Sequence, residues 1–406
     1  DNYRNLPAAL ARARGPALGL RDMVVARYGA RRRAAYEVEQ PVRAFERFID
    51  GMDHSGQLHV RVRCRFKYCN GEYLMSSVKR FVGLESLRGI AALCVALFHV
   101  GFQTPFTDNR FVRTSHLMVD FFFVLSGFVI FHSYGRRLRD RGQLLTFTIT
   151  RFGRVYPLHL LMLLVFLGLE VLKAVAQRYT MAVPAHAAFS MNTLGAFVTN
   201  IFLVQALGFH DRETFNYPSW SISTEFFTYL LFALVLYLWR NRVQTAVRVV
   251  APVLSALAFG FLCFVIGSLT RTVDFGLIRC IGGFFLGVFS YQAYLGIQRL
   301  RPSGSRLLDA TALLAALMIV ALMSSPLSNH ERFLLPPLFA LLVVTVAALG
   351  EGSRIARILR ARPLVWLGER SYSVYMVHAA LIWIATQILR FALHVPVTTV
   401  GQGDIL

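Results

Sequence analysis

Apolar runs of close to 20 residues recur from about residue 117 to residue 393, with the charged residues gathered into the short stretches between them. A helix of that length is about 30 Å long, matching the hydrocarbon core of a bilayer. The runs cover 117–135, 155–172, 219–239, 249–269, 276–297, 307–324, 332–349 and 371–393, and an earlier one lies inside 83–101. Only 16% of residues are charged and 55% are hydrophobic, a balance that soluble domains rarely reach. The expected fold is all-α, a polytopic bundle of nine to ten transmembrane helices.

The choice between nine and ten turns on 193–207. This run has only 15 apolar-biased residues and includes Asn200 and Gln205, where crossing takes at least about 17. Loop charges bear on it, because Lys and Arg are retained on the cytoplasmic side. Basic clusters occupy 136–154, 240–248, 299–306 and 354–370, whereas the loops near 270 and 327 are nearly neutral. With 193–207 as a re-entrant half-helix, all the basic loops face the cytoplasm. With a full crossing there, the last three face outward.

The net charge of +21 raises the question of nucleic acid. The arginines sit in the N-terminal arm and in alternate loops, the pattern of membrane orientation, so no nucleic-acid partner is expected. The chain divides into a basic arm at 1–79, a membrane domain at 80–395 and a tail at 396–406. Met75 resembles a natural start, which makes 1–74 either an over-extended gene start or a cytoplasmic arm. His54, His59, Cys64 and Cys69 recur every five residues there, but without the tight Cys-x2-Cys knuckle of structural zinc sites no metal is expected. No cleavable signal precedes the first long apolar run, and the five cysteines define no disulfide framework.

The stretch GLESLRGIAALCVALFHVG at 83–101 places Arg88 and His99 eleven residues apart, in line on one helical face. Ala92, Val95 and Ala96 lie between them and would floor a groove. Arg, Asp or Glu at bilayer depth costs about 2.5–3.5 kcal/mol on insertion scales, so Glu85, Arg88, Asp120 and Glu225 are expected to meet one another, water or a substrate. His99 is the expected general base, since an imidazole near neutrality can take a proton from a hydroxyl. A carboxylate would hold its tautomer, and either Glu225 or Asp120 can be placed inside a span to do so. Ser221 and Ser223 crowd hydroxyls around the helix start after Pro218 and suit a carbonyl or a sugar, or helix capping. Arg151 and Arg154, one turn apart, could grip phosphate oxygens bidentately, with Arg88 extending the anion site. Tyr375 and His378 share a face through their three-residue spacing.

These stretches, with VDFFFVLSGF at 119–128, RFGRVYPLH at 151–159, PSWSISTEFFTYLLF at 218–232 and LGERSYSVYMVH at 367–378, resemble the acyltransferase-3 family of bacterial membrane O-acyltransferases. The matches fall in the family's order over most of 80–395. The resemblance implies ten spans, against the nine of the charge argument. It also implies acyl-CoA, most simply acetyl-CoA, as donor at the Arg151–Arg154 pair, with no metal. The acceptor would be a hydroxyl of a surface glycan, exopolysaccharide, lipopolysaccharide or lipid-linked precursor, and the location the bacterial inner membrane, among membrane lipid. The extracytoplasmic hydrolase-like domain of some relatives is not expected after residue 406. The alternative is a polytopic transporter or flippase using the same charges as a proton or substrate path; inverted repeats would favour it, and none is evident.

Overall fold

A computed structural model describes residues 80–100, 107–179, 187–300 and 305–389. The basic arm with its His and Cys series, the tail after 395 and the end of the last expected span lie outside the described residues. Among the described residues there is no strand. The principal helices are α1 (Val82–Phe98), α2 (Met118–Tyr134), α3 (Arg141–Tyr179), α4 (Leu194–Ile201), α5 (Trp220–Leu238), α6 (Ala251–Gly260), α7 (Gly276–Leu300), α8 (Ser305–Ser324), α9 (Leu335–Ala348), α10 (Arg362–Glu369) and α11 (Ser371–Gln387). Within the described residues, seven helical segments are long and apolar enough to cross a membrane: α2 with the 3-10 turn before it (Ser115–Tyr134), α3, α5, α6 with its flanking turns (Val243–Ile266), α7, α8, and α9 with the 3-10 turn before it (Glu331–Ala348). Helices α1 and α11 have 17 residues each, near the lower bound of about 17 for a crossing.

Helix α4 is the half-helix that the polar interruptions at Asn200 and Gln205 foreshadow. Its 8 residues span only about 12 Å. The irregular chain that follows would be intolerable in lipid unless its polar groups were satisfied by protein. Its side-chain donors find protein acceptors from several directions, while the amide oxygens of Asn200, Gln205 and Asn216 are buried with no hydrogen-bond partner among the described residues. Asn200 donates to the Thr214 hydroxyl at 2.9 Å, Gln205 to Ser219 at 3.3 Å, and the Ser223 hydroxyl to the Leu203 carbonyl at 2.5 Å. Asn216 donates to the Met376 carbonyl at 3.0 Å, tying this segment to α11.

Helices α2 and α7 form the centre. A Cβ at Gly127 would overlap the Phe284 carbonyl, and one at Gly287 would overlap the Val124 carbonyl, so bare backbone meets bare backbone. Small residues permit such close approach between helices. A second such contact joins Gly89 of α1 to Gly368 of α10. Beside it, Arg80 bridges Glu85 and Glu369, the latter at 2.7 Å, and these hydrogen bonds hold its guanidinium still further toward the charged form.

Candidate active site

Helices α1, α2, α3, α5 and α11 enclose a cavity of about 140 Å³. Its wall brings together three arginines expected there, Arg88, Arg151 and Arg154, with Glu225, Ser126, Ser221, Tyr229, Tyr372 and Tyr375. Each arginine is held differently. Arg151 is buried on α3, donates to the Tyr134 hydroxyl at 2.9 Å and stacks on that ring at 4.9 Å. Arg88 is anchored from α10 and α11, its Nε donating to Ser371 at 2.8 Å and its Nη2 to the Gly368 carbonyl at 3.1 Å. Arg154 is exposed.

Glu225 brings the cavity its negative charge. Its Oε1 accepts from the Ser126 hydroxyl at 2.6 Å and from Tyr229, one turn along α5, at 2.5 Å. Both donors are charge-assisted, the strong kind of hydrogen bond. Ser221 closes the inner end, paired with the Tyr375 hydroxyl at 2.8 Å, and Tyr375 also donates to the Pro218 carbonyl at 3.0 Å. Tyr372 donates to the Val155 carbonyl at 2.5 Å.

His99 is not on this wall. It is the residue after the last turn of α1, packed against the rings of Tyr217 at 4.8 Å and His378 at 5.0 Å. Its Nδ1 is 2.9 Å from the Val95 carbonyl and 3.0 Å from Nε2 of His378. Tyr375 lines the cavity and lies 5.9 Å, ring to ring, from His378, so one layer of side chains separates the arginines from His99. The groove expected along α1 is filled: Ala92 and Val95 are 0% and 1% exposed, in a face that packs on α11. Apolar small residues in line with two polar ones made a helix contact instead of an open channel.

The carboxylate partner expected for His99 is also corrected. Asp120 is completely buried in a two-pronged ion pair with Arg279 of α7, both bonds 2.8 Å, and Glu225 belongs to the cavity. Neither hydrogen-bonds His99; His378 and a backbone carbonyl do. Arg279, also stacked over Trp220 at 5.3 Å, was the charge missed. It interrupts the apolar run at 276–297 and was findable by the same insertion-cost argument that flagged Asp120. Ser223 is spent on the Leu203 carbonyl, so it braces the irregular segment after α4. Among the described residues no group of three or more His, Cys, Asp or Glu side chains is arranged to hold a metal ion.

A family model described as an acyltransferase domain, that of the acyltransferase-3 family, matches residues 81–401. The chain belongs to the acyltransferase-3 family. This acyltransferase-family protein is 29% identical to the acyltransferase MdmB of Streptomyces mycarofaciens over 335 residues, 75% of this chain and 80% of that one. It is 25% identical to the peptidoglycan O-acetyltransferase OatA of Listeria monocytogenes, over 77% of this chain and 51% of that one. To the O-acetyltransferase OatA of Staphylococcus aureus it is 26% identical, over 76% and 51%. The chain thus spans about half the length of two of these three relatives. No solved structure matches it significantly. Family and apolar helices together make it a multi-pass membrane protein of an acyltransferase family.

Proposed function

We propose that this protein is an acyl-CoA-dependent O-acyltransferase of the bacterial inner membrane, moving an acyl group, most simply acetyl, to a carbohydrate hydroxyl with His99 as general base. The observation that carries the reading is the convergence of Arg88, Arg151 and Arg154 on one cavity whose inner wall is one side chain away from the His99–His378 pair. Guanidinium groups grip phosphate oxygens in pairs, and a nucleotide-linked thioester is the acyl donor that presents them. The carbohydrate acceptor is supported by relatives named as peptidoglycan O-acetyltransferases.

In this reading the phosphates of the donor rest on the arginines and the thioester points at Tyr375. The Tyr375 ring turns aside, giving up two neutral hydrogen bonds worth about 0.5–1.5 kcal/mol each, a small cost beside the binding of a polyanion. The Nε2 atom of His99 takes the proton of the acceptor hydroxyl as its oxygen attacks the thioester carbonyl. The C–S bond breaks, and the departing thiolate recovers the proton from Nε2, so the products are an ester and free CoA thiol. General-base help of this kind is worth about 10²- to 10⁴-fold.

Membranes containing the protein, labelled acetyl-CoA and candidate glycans supply the test. The expected result is transfer by the wild type, loss of it in His99→Ala and weakening in Arg154→Ala at matched expression. Undiminished transfer by His99→Ala would overturn the mechanism.

A further inference from the structure

The reading above leaves His99 without the carboxylate that normally accompanies a histidine base, and the structure puts a second imidazole in that place. We propose that His378 is the positioning residue of this base, accepting a hydrogen bond from His99 Nδ1–H so that Nε2 keeps its lone pair. The inference rests on His99 being the base.

The argument begins with a carbonyl. Val95 O, 2.9 Å from His99 Nδ1, can only accept, so a hydrogen bond there requires the proton to be on Nδ1. The other nitrogen, Nε2, then bears the lone pair, and it has no hydrogen-bond partner among the described residues. With Nδ1 protonated, His378 Nε2 at 3.0 Å must also present a lone pair, and its own proton goes to Nδ1. Buried Nδ1 of His378 has no partner at hydrogen-bond geometry among the described residues. The pair therefore has two settings. In one, His99 is base-ready and the His378 Nδ1–H faces the Val374 and Tyr375 carbonyls without strict hydrogen-bond geometry. In the other, His378 donates to His99, whose proton moves to Nε2, and the base is disabled.

One feature favours the first setting. The Val95 hydrogen bond from the ring exists only there, and at 2.9 Å it adds a closer donor to a carbonyl that otherwise has the 3.3 Å bond from the His99 backbone N–H. His378 is itself fixed: it is 5% exposed, with Tyr375 and Tyr217 against its ring. When Nε2 of His99 takes up a proton, the ring becomes a cation, and its Nδ1–H is shared between the carbonyl and His378. An acceptor on that side stabilises the imidazolium, as an aspartate does in hydrolase triads.

The test compares His378→Leu with His378→Gln in the full-length protein in detergent or membranes. Glutamine places an acceptor oxygen near the position of Nε2; leucine keeps the bulk and removes it. For His378→Leu we expect kcat to fall about 10- to 100-fold with the donor KM unchanged, and for His378→Gln a return to within about fivefold of wild type, both set against the larger losses of a wrong tautomer in a triad. A merely structural histidine would give equal losses in both variants, or none, and either result overturns the proposal. ¹⁵N NMR of histidine-labelled protein gives a readout independent of turnover: the wild type should show His99 protonated at Nδ1, and His378→Leu should shift protons toward Nε2. Protonation at Nε2 in the wild type overturns this inference while leaving acyl transfer untouched. Loss of transfer in His99→Ala alongside full activity in His378→Leu likewise sinks the positioning role and spares the base.

Discussion

Arg151 is bound and Arg154 is not held in the same way, although one turn of α3 separates them. Arg151 donates to Tyr134 at 2.9 Å and stacks on its ring, whereas Arg154 reaches the same cavity from an exposed position. The two should therefore separate binding from folding. Arg154→Ala is expected to raise the donor KM about 10- to 100-fold, the equivalent of losing one charged hydrogen bond or two, with thermal unfolding unchanged. Arg151→Ala should raise KM and also lower the unfolding temperature, through the lost Tyr134 bond and about 0.5–1 kcal/mol of cation–π contact. Donor titration and detergent-phase thermal shift on the same samples check both.

Glu225 faces those arginines but is held by hydroxyls, Ser126 and Tyr229. Glu225→Ala removes the acceptor that both hydroxyls share; Ser126 and Tyr229 lie 3.0 Å apart and can then satisfy one donor between them, which leaves the other unpaired at about 1–3 kcal/mol unless it finds water. Glu225→Gln keeps a carbonyl for them and should cost less, while leaving the cavity with three positive groups and no negative one. The expected order of thermal stability is wild type, Gln, Ala. Equal stability of the Gln and Ala variants would show that the hydroxyls rely on other acceptors.

Asp120 and Arg279 make a buried pair, 0% and 1% exposed. Breaking it from one side leaves an uncompensated charge, a loss of about 3–5 kcal/mol in proteins generally. Asp120→Ala and Arg279→Ala should each abolish a stably folded product, seen as loss of the monodisperse peak in size-exclusion chromatography. Replacing both together, Asp120→Leu with Arg279→Met, should recover it at least partly, because the desolvation cost disappears with the charges.

Much of this architecture is legible in the chain. Apolar runs near 20 residues became helices because lipid leaves their backbones no other donors or acceptors. The short helix α4 was visible as a short run with two amides, and the three arginines were grouped as one anion site because paired guanidinium groups suit phosphate oxygens. What could not be read was pairing across helices. Asp120 meets Arg279 over a separation of 159 residues, and His99 meets His378 over 279. Which polar group meets which depends on helix rotation about α2 and α7, and that rotation is set by bare-backbone contacts at Gly127 and Gly287 that no periodicity reveals. The face of α1 was read correctly as small and in line, but small residues serve a close helix contact as well as a groove.

The start of α1 and the segment before α11 also fix a parity. Ser86 donates to the Leu359 carbonyl at 2.5 Å, Arg80 bonds Glu369 at 2.7 Å, and Gly89 packs on Gly368, so residues 80–89 and 359–369 lie at the same membrane side. A chain that leaves that side through α1 must return to it by residue 359, which requires an odd number of crossings from α2 to α9. Counting α2, α3, α5, α6, α7, α8 and α9 gives an odd number; adding the 8-residue α4 makes it even. The expected topology is therefore nine crossings with α4 re-entrant, the basic stretch at 354–370 in the cytoplasm as the charge rule requires. In a cysteine-free background, Asp211→Cys should react with a membrane-impermeant maleimide on spheroplasts, and Gly352→Cys only after lysis. Labelling of Gly352→Cys in sealed spheroplasts would mean that α4 crosses, and would then demand that α1 and α10 meet across the bilayer, which a contact between glycine backbones cannot do.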